Sequence, residues 1–460
     1  MHLSFLPVVG APRATLNGPS AASLHGVRRD EPTSQESALY PTTAPFEQSP
    51  QQLPIAPIDL AYGQDGHAHF SAGEATSVLK SKFQPSRFYV TGFYSGRNPY
   101  HPYLACLDAS GKLDNTFNSS GIVDFSELSG EEYGAAEAVA EDMTGNLLVA
   151  VQAYALPTTY LWKLTPNGEP DTSFGYGKDY VDTHALFGEQ LMLEDLVCFA
   201  DMVLATGWRS EGGQIKSAIV ALTREGGKFG PFGKDGMLSL STLIPDNSAY
   251  ILDGIAIISP AAKQPRIIIS TYVKRDSIAY SVTSALTLEG RLDEAFGTGG
   301  FHWSDASVVN NGFTVEDRSE RITLYGMHTL DEWDGQPTLY RLDYAGKPAL
   351  EFNQGQVVHF HTDGKWHHIV EVNGHLVGYG THPTSYMAVR YDLNGQLDQT
   401  FLPPHGYGHF GGALPPEHFE SFTQSMAIDA GNQRMLVSGY DITPERLLYS
   451  CLVAIPLKPM

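Results

Sequence analysis

Leu292-Asp293-Glu294-Ala295-Phe296-Gly297-Thr298-Gly299-Gly300 is a phrase that the chain repeats. It returns as Leu113-Asp114-Asn115-Thr116-Phe117, as Pro170-Asp171-Thr172-Ser173-Phe174-Gly175 and as Leu397-Asp398-Gln399-Thr400-Phe401. Looser copies stand at residues 59–63, 229–233 and 349–352. The aromatic residue closing each copy falls at Tyr62, Phe117, Phe174, Phe232, Phe296, Phe352 and Phe401. The intervals are 55, 57, 58, 64, 56 and 49 residues, and 59 follow the last. Seven copies with no break in the pattern belong to one body, although 460 residues would otherwise allow several domains.

Between copies the sequence is strand and turn. In one repeat, residues 135–141, 147–154 and 159–165 read as three strands and 180–183 as a fourth, with a tight turn at 142–146. Apolar runs of this length bounded by Gly, Asn and Asp are the strand signal. Six residues before the key aromatic comes a glycine, at Gly111, Gly168, Gly226, Gly290, Gly346 and Gly395. A glycine there supplies a positive φ for a sharp corner. The aspartate after it (Asp114, Asp171, Asp293 or Asp398) can bond the turn amides, and the aromatic plugs the gap between units. The corner at 392–398 has the look of a calcium loop but lacks the downstream bidentate Glu, so it reads as a structural turn.

Four strands in each of seven units predict an all-β, seven-bladed β-propeller with four antiparallel strands per blade. The last unit is one strand short, and a spare strand at 66–70 precedes the first complete trio. The N-terminal strand is therefore expected to complete the last blade and close the ring. Residues 1–55 are rich in Pro, Ser, Ala, Thr and Gln without apolar period, which reads as a flexible tail before a propeller at 56–460.

The Leu-Asp-x-x-Phe-Gly phrase with its following Gly pair resembles the bacterial delta-60 repeat family, over roughly residues 58–460. The resemblance implies a propeller, often surface-associated or exported, and carries no catalytic residues. The start is a poor signal peptide, because residues 3–9 are short, interrupted by Pro7 and lack a basic lead. The expectation is a cytoplasmic protein or one exported by a signal-less route.

A net charge of −22 repels phosphate backbones, so nucleic acid is excluded as a partner class, and no apolar run approaches a membrane span. Three cysteines do not make a disulfide framework; Cys106 and Cys451 alternate with apolar neighbours and read as buried thiols in strands.

On a propeller the ligand-binding rim is built from the loops entering the inner strands and those joining second to third strands. Trp208, Trp303, Trp333 and Trp366 are read into rim loops and Trp162 into a strand. With Asp305, His328, Asp331, Asp334, Asp363, His367 and His382 the four rim tryptophans form the candidate ligand-binding set, densest in the fifth and sixth units. Exposed rings beside carboxylates and imidazoles suit sugars or cationic groups. A divalent cation on His361, Asp363, His367 and His368 is the one cofactor left open, and no nucleophile elbow, phosphate loop or zinc-protease helix is present. Acidic residues at inner-strand ends (Glu141, Asp142, Asp201, Glu316, Asp317, Glu371 and Asp429) read mostly as turn caps, and together they could attract a cation into the opposite mouth of the channel. The resulting expectation is a monomeric, non-enzymatic propeller recognising a glycan or protein partner through its rim. The alternatives are a hydrolase of the lactonase or glycan-cleaving kind using rim carboxylates or a channel metal, and an acidic interaction scaffold.

Overall fold

A computed structural model describes residues 55–458, apart from 95–99, 127–133, 155–156, 212–213, 245–248, 261–263, 277, 330–334, 383–384, 413–418, 421–424 and 443–447. The tail expected at 1–55 lies outside the described residues except for Ile55.

The chain folds as a seven-bladed β-propeller. The first blade runs outward through Glu74–Lys80, Phe88–Tyr94, His101–Leu107 and Ile122–Asp124. The second runs through Gly134–Glu141, Leu147–Ala153, Thr158–Leu164 and Tyr180–Asp182, each within a residue of the bounds expected from the pattern. The inner strands of the next four blades are Leu191–Phe199, Ala249–Ile258, Val308–Glu316 and Lys365–Val372. In the seventh blade the inner position is held by two pieces, Phe419–Glu420 and Met426–Asp429, followed by Arg434–Ile442 and Leu448–Pro456. His67–Ala72 from the N-terminal side pairs antiparallel with Leu448–Pro456 and supplies its outermost strand. The ring is closed as the strand count required, and apolar clusters fill the spaces between successive blades. Among the described residues no helix is long and apolar enough to cross a membrane.

The repeated phrase is the joint between blades. Each closing aromatic is buried, from Tyr62 and Phe117 to Phe401, at 1% exposure or less. In six of the seven copies the ring lies against the corner glycine of the next blade, while Phe401 packs in the cluster that holds Ala56, six residues before Tyr62. A Cβ on Gly168 (φ +84°) would meet the Phe117 ring at 2.8 Å, and one on Gly290 (φ +76°) would meet Phe232 at 2.9 Å. The glycine is thus required twice, by its left-handed backbone and by the ring pressed on it. The residue after the aromatic donates its amide to the carbonyl preceding that glycine: Asn118 to Asn167, Gly175 to Glu225, Gly233 to Glu289, Gly297 to Ala345 and Asn353 to Asn394.

The corner aspartates act as expected, with Asp114, Asp171, Asp293 and Asp398 each accepting an amide two residues on. Their second oxygen does more. Asp114 holds Arg87 at 2.7 Å, and Arg87 reaches the Pro166 carbonyl of the second blade. Asp293 holds Arg266 at 2.9 Å, and Arg266 reaches Tyr344 of the fifth. The same clamp closes the ring. Asp59, in the first copy of the phrase, pairs with Arg434 of the seventh blade at 3.0 Å, and Arg434 reaches Ala109 of the first. Gly63 donates to Ser110 in register with the other joints. The first copy in sequence is therefore the seventh corner in space.

Most of the acidic inner-strand ends are spent on caps and pairs. Asp142 accepts amides of Thr144 and Asn146, Glu371 pairs with Arg341, and Asp429 pairs with Lys80 and Arg434. Asp392, in the calcium-like corner, accepts the amides of Asn394 and Gln396.

Candidate functional site

Six inner strands carry a β-bulge at the same position. The inserted residue is Thr76, Glu137, Glu194, Asp253, Asn311 or His367 in blades one to six. Every one is polar, although the strands around them are largely apolar. An extra residue breaks the alternation of the strand and turns a side chain that would enter the inter-blade core toward the centre instead. The inner strands pack around the middle of the ring, so the bulged backbone positions border the channel; His367 and Asn311 are buried there, Glu137 is half-buried and Glu194 exposed. Thr76 donates to the Ala136 carbonyl and Asn311, at 2.9 Å, to that of Trp366, each bond crossing to the next blade's inner strand.

Blades two and three place carboxylates at this level. Glu194 is exposed between buried Leu193 and half-buried Asp195. Burial pushes the Glu137 carboxyl up to about 7, the Glu194 charge adds to the rise, and a hydrogen bond from Tyr154 opposes it. Glu194 is raised by burial against the bond from the Trp208 indole, with the Asp195 charge adding. Asp195 is raised to about 6 by burial, against amide bonds from Ile255 and Leu196. The Tyr154 hydroxyl stands 3.3 Å from Glu137, and Trp208 Nε1 stands 3.0 Å from Glu194. Inner strands begin, and second strands end, on one face of the ring. Glu137, Glu194 and Trp208 lie in the halves of their strands nearer that face, and Tyr154 follows the end of its strand there.

The predicted rim residues are distributed around the same face, on strands more than on loops. Trp208 lies within Met202–Glu211, because the strand continues to the two-residue connection at 212–213. Trp303 is half-buried in Phe301–Trp303, with the Arg275 guanidinium 3.7 Å from its ring centre. Trp366 departs furthest from the rim reading. It lies in the inner strand Lys365–Val372, is fully buried, and packs edge-on against Phe360. Its strand begins two residues earlier than the pattern suggested, which carries the indole from the rim into the inter-blade core. His367 is buried too and stacks on Tyr379 at 5.6 Å, while His368 faces Tyr325. The adjacent imidazoles thus point to opposite sides of the strand. Asp331, Trp333 and Asp334 lie outside the described residues.

Two pairs do assemble. His328 meets His359 with ring centres 5.4 Å apart, and Asp305 is near enough to bias His359 upward. His382 meets His409 at 5.0 Å, with Asp363 acting on His382 in the same way. Burial nonetheless lowers His359 and His382, and it lowers His409 to about 4, with His382 adding to that last shift. Among the described residues, the donors that come within 4.8 Å of one another in a group of three are His67, His69 and Cys451. The set around His361 and Asp363 is not brought together in that way.

Glu137 and Glu194 were not singled out from the sequence. A partial signal was available: Glu137 stands between alanines in Ala136-Glu137-Ala138, and Glu194 follows the apolar run Leu191-Met192-Leu193.

Residues 89–117 and 144–174 match the family described as "Domain of unknown function (DUF5122) beta-propeller". No curated protein matches the chain. Similar solved structures include the polysaccharide lyase Uly1, at 9% identity and TM-score 0.48, covering 86% of this chain and 93% of that one. Sqt1 from Chaetomium thermophilum is similar at 8% identity and TM-score 0.38, covering 85% and 98%. Drosophila Plexin A in complex with Semaphorin 1b is similar at 8% identity and TM-score 0.34, covering 88% of each chain.

Proposed function

We propose that the protein is a non-catalytic binding propeller that takes an amine-bearing ligand, an amino sugar of a glycan chain, at its channel mouth. The observation that supports this reading is the pair Glu137 and Glu194. Each is held by an aromatic hydrogen-bond donor, and each is kept reluctant to ionise by its surroundings. An ammonium group beside both would supply a counter-charge, and the rings of Tyr154 and Trp208 would border a sugar face. Trp303, His328 and His382 on the same face extend the surface along which a longer chain would lie. The repeat is read as the delta-60 type, on the strength of the Leu-Asp-x-x-Phe-Gly phrase.

Calorimetry with glucosamine oligosaccharides, their N-acetylated counterparts and a lysine-rich peptide tests this. Binding of the free-amine sugars alone, weakened by Glu194→Gln, is expected. Preference for the peptide would move the reading to a basic protein partner, and equal binding of the N-acetylated sugars would overturn the role of the amine.

A second reading rests on the same carboxyl. A Glu that keeps its proton to about 7 beside a second carboxylate is the equipment of a glycan hydrolase, Glu137 as acid and Glu194 as base. Reducing-end release from a bound glycan, abolished in Glu137→Gln with binding retained, would favour it.

A further inference from the structure

The strand that closes the ring carries a second constellation, away from the channel. His67 and His69 lie two residues apart on the N-terminal strand, hence on one face, while Ala68 between them is buried in the opposite direction. Cys451 is the direct cross-strand partner of His69 on the last strand of the chain. The two imidazoles stack with ring centres 5.8 Å apart at 23°. Ligand atoms of all three residues lie within 4.8 Å of one another, and Cys451 Sγ is 3.6 Å from His67 Nδ1. A tetrahedral zinc with bonds of about 2.3 Å to sulfur and 2.0 Å to nitrogen holds those two atoms about 3.5 Å apart.

We propose that His67, His69 and Cys451 bind a zinc ion that ties the N-terminal strand to the C-terminal one and locks the propeller closed. Two imidazole nitrogens and one thiolate are a borderline-soft set that favours zinc over calcium or magnesium. On binding, the Cys451 thiol gives its proton to water and the sulfur takes the metal. All three side chains project from one face of the sheet, Cys451 buried, His67 half-buried and His69 exposed. His67 and His69 also border an open groove of about 610 Å³ whose wall includes Gln64, Lys112 and Tyr449. A fourth position facing that groove is open to water or to a small anion. The metal would join neighbours in one blade that stand near opposite ends of the propeller's sequence, so the segment it closes is nearly the whole propeller.

Metal titration of the chelator-treated full chain tests the proposal, with cobalt(II) as the spectroscopic probe and zinc as competitor. The expected result is one cobalt per chain, with a thiolate-to-cobalt charge-transfer band that zinc abolishes and a higher unfolding midpoint with zinc. Cys451→Ser should remove the band, and His69→Ala should weaken binding at least about tenfold. His69 is exposed, so that variant leaves the apolar core untouched if Cys451→Ser fails to fold. Cobalt binding without the band, affinity unchanged in His69→Ala, or no binding by the wild-type chain would each overturn the assignment.

Discussion

If the glycine of one corner exists to receive the aromatic ring of the blade before it, then Gly168→Ala and Phe117→Leu must be coupled. Gly168 has φ +84°, and an added Cβ would meet three ring atoms of Phe117 at 2.8 to 3.0 Å. The left-handed backbone with a Cβ costs about 1–2 kcal/mol. Forcing a methyl against a buried, close-packed ring adds about 1–3 kcal/mol. Gly168→Ala alone should therefore destabilise by about 2–5 kcal/mol. Phe117→Leu trims the ring edge and costs about 1–2 kcal/mol by itself. In that background the methyl has room, and Gly168→Ala should cost only its backbone share. Urea unfolding of the four proteins, followed by tryptophan fluorescence, measures the coupling as a double-mutant cycle. Equal cost of Gly168→Ala in both backgrounds would show that the ring is not what the glycine accommodates.

Further outcomes follow from the same structure. Trp366→Ala, at a fully buried position, should destabilise by about 3–5 kcal/mol, read by the same unfolding measurement. Arg434→Ala removes the clamp that joins Asp59 and Asp429 across the closure, and should cost about 3–5 kcal/mol by leaving a buried carboxylate less well paired. Deleting residues up to Ala72 strips the seventh blade of its outer strand and its corner, and circular dichroism should then show loss of cooperative unfolding. The Glu137 carboxyl is raised from its ordinary range to about 7, so the folded chain keeps a proton that the unfolded chain releases above about 4.3. Stability from this group therefore falls as pH rises from about 4.3 to 7, and Glu137→Gln should remove that decline in pH-dependent unfolding midpoints.

The joint between blades was legible in the sequence because it is local. Gly111, Asp114 and Phe117 sit within seven residues, and the turn needs all three. Ring closure was legible as well, since one strand was missing at one end and spare at the other. The channel mouth was not, because a one-residue bulge reverses which side a residue faces without changing the composition of the strand. Trp366 was misplaced for a related reason: near a strand end, a shift of two residues decides between rim and core. His67, His69 and Cys451 are separated by most of the chain, and only closure of the ring in register brings them together.

The most direct test of the channel-mouth reading is the count of protons exchanged on binding. Binding heats of a glucosamine oligosaccharide, taken near pH 6 in buffers of different ionisation enthalpy, give that count. An ammonium seated on Glu137 and Glu194 would drive the Glu137 carboxyl to ionise, so the account predicts release of up to about one proton, lost in Glu137→Gln. Binding with no proton released, or with the same release from Glu137→Gln, would contradict it.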